Sequence, residues 1–316
     1  KKRHNISLQK DSLIFTTGVI PAISTTVKRM TNTGDNIVIP TPVYDMFFHS
    51  VENHGRHVLE CPLQCNNQEY TMDFEDLEKK LSDPLTTLMI LCNPHNPVGK
   101  VWTGEELQKI GSLCKKHHVV VLSDEIHCDL TLNQAEYVPF AAASAECAQN
   151  SITCIAASKA FNLAGFQSAA VYIPNEGIRA VMDRGLNSDE VAEPNCFAIE
   201  STVAALTKGG EWLDQLNVYL AKNKQYVAEF LAENLSELKL TKSGATYLLW
   251  VDVSALTKDA QELCDFIRKE TGLYITAGGQ YRGNGASYVR INIACPLAVV
   301  KDGMERLQKG VHAFKA

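Results

Sequence analysis

The sequence predicts an α/β fold in two parts. A large domain over residues 1–208 is a mainly parallel sheet sandwiched by helices, and a smaller α+β domain follows over residues 209–316. Two patterns lead to that expectation. Through the first two-thirds, short apolar runs alternate with longer amphipathic ones; near-continuous apolar strands between helices belong to a parallel sheet covered on both faces. Beyond residue 208 the rhythm becomes a long helix followed by strand, helix, strand and helix. With 316 residues and 45% apolar side chains, the chain is long enough for more than one core.

Taken in order, residues 36–39 (Asn-Ile-Val-Ile) form a strand, 43–54 a helix and 56–60 a second strand. A short helix over 73–81 opens on an aspartate, and 86–92 is a buried strand. Thr103 and Glu106 have the spacing of a capping box, which starts a helix running to about residue 116. Residues 119–123 are a continuous apolar strand, and further strands follow at 152–156 and 169–173. In the second part a helix over 212–234 leads into a strand at 247–253. A helix at 259–271, a strand at 288–293 and a final helix ending near 314 complete it. The boundary between the parts falls at 208–210.

Composition narrows the function. Net charge is −6 with no basic block, which argues against a nucleic-acid surface. The longest apolar runs are of strand length, too short to cross a bilayer, so no membrane partner is expected. Ten cysteines lie scattered without C-x-x-C pairs; in a chain of this size they read as reduced thiols of a cytoplasmic protein. Residues 1–10 are polar and do not resemble a secretory signal. The first residue is not methionine, and the expectation is that the sequence begins part-way through a longer product.

The most informative segment is Ser158-Lys159-Ala160-Phe161-Asn162-Leu163-Ala164-Gly165, directly after an apolar strand. Open α/β sheets place their ligands at that end of a strand. A lone loop lysine is ordinarily a solvated one, but three further motifs change the balance. Asn93-Pro94-His95-Asn96-Pro97-Val98-Gly99 follows one strand, and Ser123-Asp124-Glu125-Ile126-His127 lies at the end of another. In Thr17-Gly18-Val19-Ile20-Pro21-Ala22 a glycine precedes a helix start. Polar groups from separate strands can converge at such junctions. Gly278-Gly279 and the Gly283/Gly285 pair read as turns, and His127-Cys128 has no matching ligand set, so no metal is expected.

In these motifs, together with Thr41-Pro42-Val43-Tyr44 and Arg290-Ile291-Asn292-Ile293-Ala294-Cys295-Pro296, the chain resembles the fold-type I pyridoxal-phosphate enzymes of the class I/II aminotransferase family. Within that family it is most similar to the MalY/PatB-like cystathionine β-lyase branch. The resemblance covers essentially the whole sequence and implies pyridoxal 5'-phosphate as cofactor. Lys159 would carry the cofactor as a Schiff base and then act as base at the substrate Cα. Asp124 would pair with the protonated pyridine nitrogen, Asn96 would bond the 3' oxygen, and Tyr44 would stack on the ring. Gly18, Val19 and Ile20 would offer backbone N–H groups to the phosphate at a helix N-terminus, and the Ser158 hydroxyl would add another donor. Arg290 would grip the carboxylate of a small amino-acid substrate. His127 would either buttress Asp124 or be a packed strand-end histidine, and Arg282 is a candidate for a second substrate carboxylate.

The sequence departs from the family pattern in two places. Ala156 stands where many class I members carry a serine, and no arginine appears around residues 166–167; both features favour the lyase branch. The extra N-terminal segment of the family is not in the sequence, and without it an uncovered apolar groove and impaired activity are expected. Catalysis of β-elimination from cystathionine or related cysteine thioethers is the favoured reading. Amino-acid transamination is the alternative, and a ligand-sensing domain of a transcription regulator is a third. The resemblance also implies a homodimer with active sites at the subunit interface.

Overall fold

The computed structural model describes residues 3–132 and 135–316. Strands β1 (Leu13–Thr16), β2 (Asn36–Thr41) and β3 (His57–Pro62) are followed by a hairpin, β4 (Gln64–Asn66) with β5 (Glu69–Thr71). Then come β6 (Thr86–Cys92), β7 (Val120–Asp124), β8 (Ser151–Ile155) and β9 (Ala169–Tyr172). Seven of these strands form one sheet in the order β1-β9-β8-β7-β6-β2-β3. The run from β3 through β2, β6 and β7 to β8 is parallel throughout. β9 lies antiparallel to both β8 and β1.

Alternation along the strands divides the core. Ile37, Ile39, Leu88, Ile90 and Leu122 meet α1 (Val19–Met30), α2 (Met46–Glu52) and α7 (Glu176–Ser188) on one face. Val38, Met89, Leu91 and Val121 meet α3 (Phe74–Leu81), α4 (Gly104–Lys116) and the short helices α5 (Phe140–Ala143) and α6 (Ala145–Gln149) on the other. The capping box is present: Thr103 accepts from the Glu106 N–H and the Glu106 carboxylate accepts from the Thr103 N–H. Between the two parts lie α8 (Ala198–Lys208) and α9 (Gly210–Asn234), separated by Gly209 alone. A Cβ on Gly209 would lie 2.6 Å from both Phe161 Cε1 and the Ala205 carbonyl oxygen.

The smaller sheet runs β10 (Lys239–Leu240), β11 (Leu248–Asp252), β13 (Tyr288–Asn292), β12 (Thr276–Ala277), every pair antiparallel. Its core packs against α9, α10 (Ala260–Thr271) and α11 (Leu297–Lys315). The glycine-rich stretch is two 3-10 turns, Gly278–Tyr281 and Gly285–Ser287. A Cβ on Gly278 would meet Trp250 at 2.5 Å.

Local differences from the sequence expectation have physical causes. The helix expected over 43–54 starts only at Met46: its first i to i+4 bond runs from the His49 N–H to the Asp45 carbonyl, while the Tyr44 carbonyl is taken by the Phe47 N–H in a tighter turn. β1, the hairpin, α7 and α8 were not anticipated. α8 has Ile199, Val203 and Leu206 at helical spacing but turns them outward, so its apolar stripe is not a buried face.

Candidate active site

The carboxyl ends of β6, β7 and β8 open onto a cavity of about 380 Å³. Gly18, Val19, Ile20, Tyr44, Asn96, Asp124, His127, Ser158, Lys159 and Arg290 all line it. These ten residues expected from the sequence are thus brought to one place, from segments up to 272 positions apart (18 to 290), and Arg282 is not.

Each side chain is held by its own local structure. Lys159 sits in a turn closed by the Phe161 N–H on the Ala157 carbonyl and the Leu163 N–H on the Ser158 carbonyl, both at 3.0 Å. Asp124 ends β7, and its carboxylate accepts the Ile126 N–H at 3.1 Å. Burial pushes its carboxyl up to about 7; Glu125 adds to the rise, while the Ile126 bond and the Lys159 charge oppose it. Glu125, next in sequence, points into the protein and accepts from Ser123, Phe140, Asn93 and Tyr137. Glu125 is therefore structural, and Asp124 is the carboxylate offered to the cavity.

His127 is 3% exposed, and its Nδ1 has no hydrogen-bond partner among the described residues. Burial, reinforced by the charges of Lys159 and Arg290, lowers it to about 3, so the ring is neutral. Asn96 Oδ1 is likewise buried without a partner. Burial also raises the Tyr44 phenol. Gly18 caps α1 with no side chain on the helix end; the first-turn N–H groups of Val19 and Ile20 are therefore free to meet an anion. Arg290, on β13, lies with its guanidinium 4.8 Å from the Tyr281 ring centroid. No carboxylate of the described residues pairs with it. Arg282 differs: it is bonded to Glu52 at 2.6 Å, lies 3.9 Å from Glu60 and covers Phe48, and it is not among the cavity-lining residues.

Tyr247, Asn292 and Gln167 also line the cavity and were missed in the sequence. Asn292 could have been found, since it stands two positions after Arg290 on the same strand face. Gln167 sits in a left-handed turn after a 3-10 segment, and Tyr247 in a turn before β11; neither carries a sequence signal. Cys128 lies near His4 and Asp129, whose ring and carboxylate are already hydrogen-bonded at 2.8 Å, while His127 faces the cavity.

An α/β sheet covered by helices on both faces, with a lysine, an aspartate, an arginine and an uncapped helix meeting in the cavity at its strand ends, defines a class. The chain belongs to the aminotransferase class I and II family, whose model matches residues 1–307. It is 42% identical over 308 residues to cystathionine beta-lyase PatB of Bacillus subtilis, covering 98% of this chain and 80% of that protein. To protein MalY of Escherichia coli it is 30% identical, covering 99% and 80%. Cystalysin from Treponema denticola, whose crystal structure contains pyridoxal 5'-phosphate, superposes with a TM-score of 0.97 at 34% identity, covering 99% and 79%. A pyridoxal-phosphate-bound C–S lyase from Staphylococcus hominis gives 0.91 at 33%, covering 98% and 76%. No helix of the described residues is long and apolar enough to cross a membrane.

Proposed function

We propose that this chain is a pyridoxal-phosphate-dependent C–S β-lyase that converts L-cystathionine or a related cysteine thioether, with water, to a thiol, pyruvate and ammonia. The observation that carries the reading is the convergence of Lys159, Asp124, Arg290 and the α1 N-terminus on one cavity. It does so in a chain whose relatives bear the names of cystathionine β-lyases and C–S lyases. The unpartnered atoms of Asn96 and His127 and the uncapped helix suit a polar aromatic phosphate.

In this reading Lys159 holds the cofactor and Tyr44 faces its ring. Asn96 and His127 supply polar contacts, and the Val19 and Ile20 N–H groups with the Ser158 hydroxyl meet the phosphate. Gly18 leaves that helix end open. When bound, the cofactor supplies an electron sink for negative charge at the substrate Cα. Asp124 holds a positive charge at the ring nitrogen, a pairing that draws its own carboxyl back toward ionisation. Arg290 takes the α-carboxylate in a two-point grip. Once the substrate's amine has taken its place, the freed Lys159 amine would take up the Cα proton, and the thiolate would leave from Cβ.

Residues 1–208 serve as the cofactor-binding domain and 209–316 as the small domain. The protein acts as a homodimer. In support, Phe197 and Leu206 are 65% and 60% exposed along α8 and its approach, and Ser201, Ala204 and Ala205 of α8 share a surface groove with Phe161 and Leu163 of the Lys159 turn. The ten unbridged cysteines fit a reducing cytoplasm. The test is to supply cystathionine to protein loaded with pyridoxal phosphate. Pyruvate and thiol released without an added keto acid support the lyase. Amino transfer that requires a keto acid, without thiol release, overturns it in favour of a transaminase.

A further inference from the structure

Thr246 has a φ of +69°, a left-handed conformation that β-branched residues rarely adopt. It is fully buried, and the structure holds it from both sides. Its N–H donates to the Leu130 carbonyl at 2.8 Å, and the N–H groups of Gly244 and Ala245 both reach the Gly99 carbonyl. On the far side its hydroxyl bonds the Leu248 backbone, accepting that N–H at 3.1 Å. Strained backbone maintained this firmly collects at functional sites, and the next residue, Tyr247, lines the cavity.

Tyr247 is fixed as well. Its carbonyl accepts the Ile293 N–H at 2.9 Å, its ring packs edge-on to His127 at 6.0 Å, and it packs against the apolar cluster that contains Ala160, next to Lys159 in sequence. Its hydroxyl has no hydrogen-bond partner among the described residues. Burial raises the phenol while the charge of Arg290 opposes that rise, so the group is a protonated donor within the field of the guanidinium. A carboxylate has about four acceptor sites, and an in-plane guanidinium fills two of them.

We propose that the Tyr247 hydroxyl is a substrate-binding group, donating to the same carboxylate that Arg290 grips, and that Thr246 is the positioning residue whose left-handed backbone sets it there. The inference rests on the pyridoxal-phosphate reading above. It is tested with the loaded protein by titrating L-alanine and L-alaninamide against the absorption of the bound cofactor. Tyr247→Phe is expected to weaken L-alanine about 10-fold, the loss of one charge-assisted hydrogen bond. It should leave L-alaninamide and cofactor affinity unchanged, and raise KM for cystathionine with little change in kcat. Thr246→Val, whose branched side chain is strained in the left-handed conformation and has no hydroxyl to hold it there, repeats the loss; Thr246→Gly, which takes that conformation freely without the hydroxyl, binds as the parent does.

Equal L-alanine binding by Tyr247→Phe overturns the proposal, and so does an equal loss for both ligands. Should Thr246→Val fail to fold, a weakened Thr246→Gly would overturn the role of Thr246. A parent protein without a cofactor band would overturn the functional reading itself, and this inference with it.

Discussion

Asp124→Asn separates what the buried carboxyl costs the fold from what it gives the site. Asparagine has nearly the same shape and keeps an oxygen to accept the Ile126 N–H. The carboxyl is 4% exposed, and burial raises it from 3.8 to about 7. Between those values the folded, cofactor-free protein retains a proton that the unfolded chain has released. Stability therefore falls as pH rises across this window and levels off above about 7. A difference of this size corresponds to roughly 4 kcal/mol. Because that shift is already net of the opposing Lys159 attraction, a gain of about 4 kcal/mol at pH 8 is expected for cofactor-free Asp124→Asn. The gain should close toward pH 4. Urea denaturation of both cofactor-free proteins at pH 8 and pH 4.5 measures it. The loaded variant, in contrast, should lose activity on the order of 100-fold or more, because the fixed charge at the ring nitrogen is gone. A variant less stable than its parent at pH 8, or equally stabilised at both pH values, would refute the electrostatic reasoning.

Two further outcomes follow from the same cavity. Arg290→Lys keeps the charge but loses the planar two-point grip, so KM for cystathionine should rise about 10- to 100-fold with a smaller change in kcat; steady-state kinetics check it. His127 stays neutral down to about 3, whereas an unfolded histidine takes a proton below about 6.5. Its contribution therefore lowers stability as pH falls from about 6.5 toward 3, and His127→Phe should show a shallower acid limb in denaturation measured from pH 7 to pH 4.

Much of the fold could be read in the sequence where one local rule decided the outcome. The Thr103/Glu106 box starts α4 because both halves of the motif satisfy the helix's first N–H groups. The apolar run of β6 needs no partner to declare that both of its faces are covered. The direction of β9 was not legible, because its four residues read the same whether they run with β8 or against it. α8 carries Ile199, Val203 and Leu206 at helical spacing, but the structure exposes that stripe, so its apolar pattern does not mark a core face. The site residues on the strand-end loops were legible as motifs. Tyr247 was not, since its place depends on Thr246 holding a conformation that nothing in Gly244-Ala245-Thr246 advertises. Arg282 had the right chemistry in the sequence, but Glu52 and Glu60 engage it.

The most direct test of the central claim is the absorption spectrum of the protein after incubation with pyridoxal phosphate and removal of excess, compared with Lys159→Ala treated identically. A visible band retained by the parent and lost in Lys159→Ala, with pyruvate released from cystathionine by the parent alone, is the predicted result. A band of equal strength in both proteins would show that Lys159 does not carry the cofactor and would contradict the account.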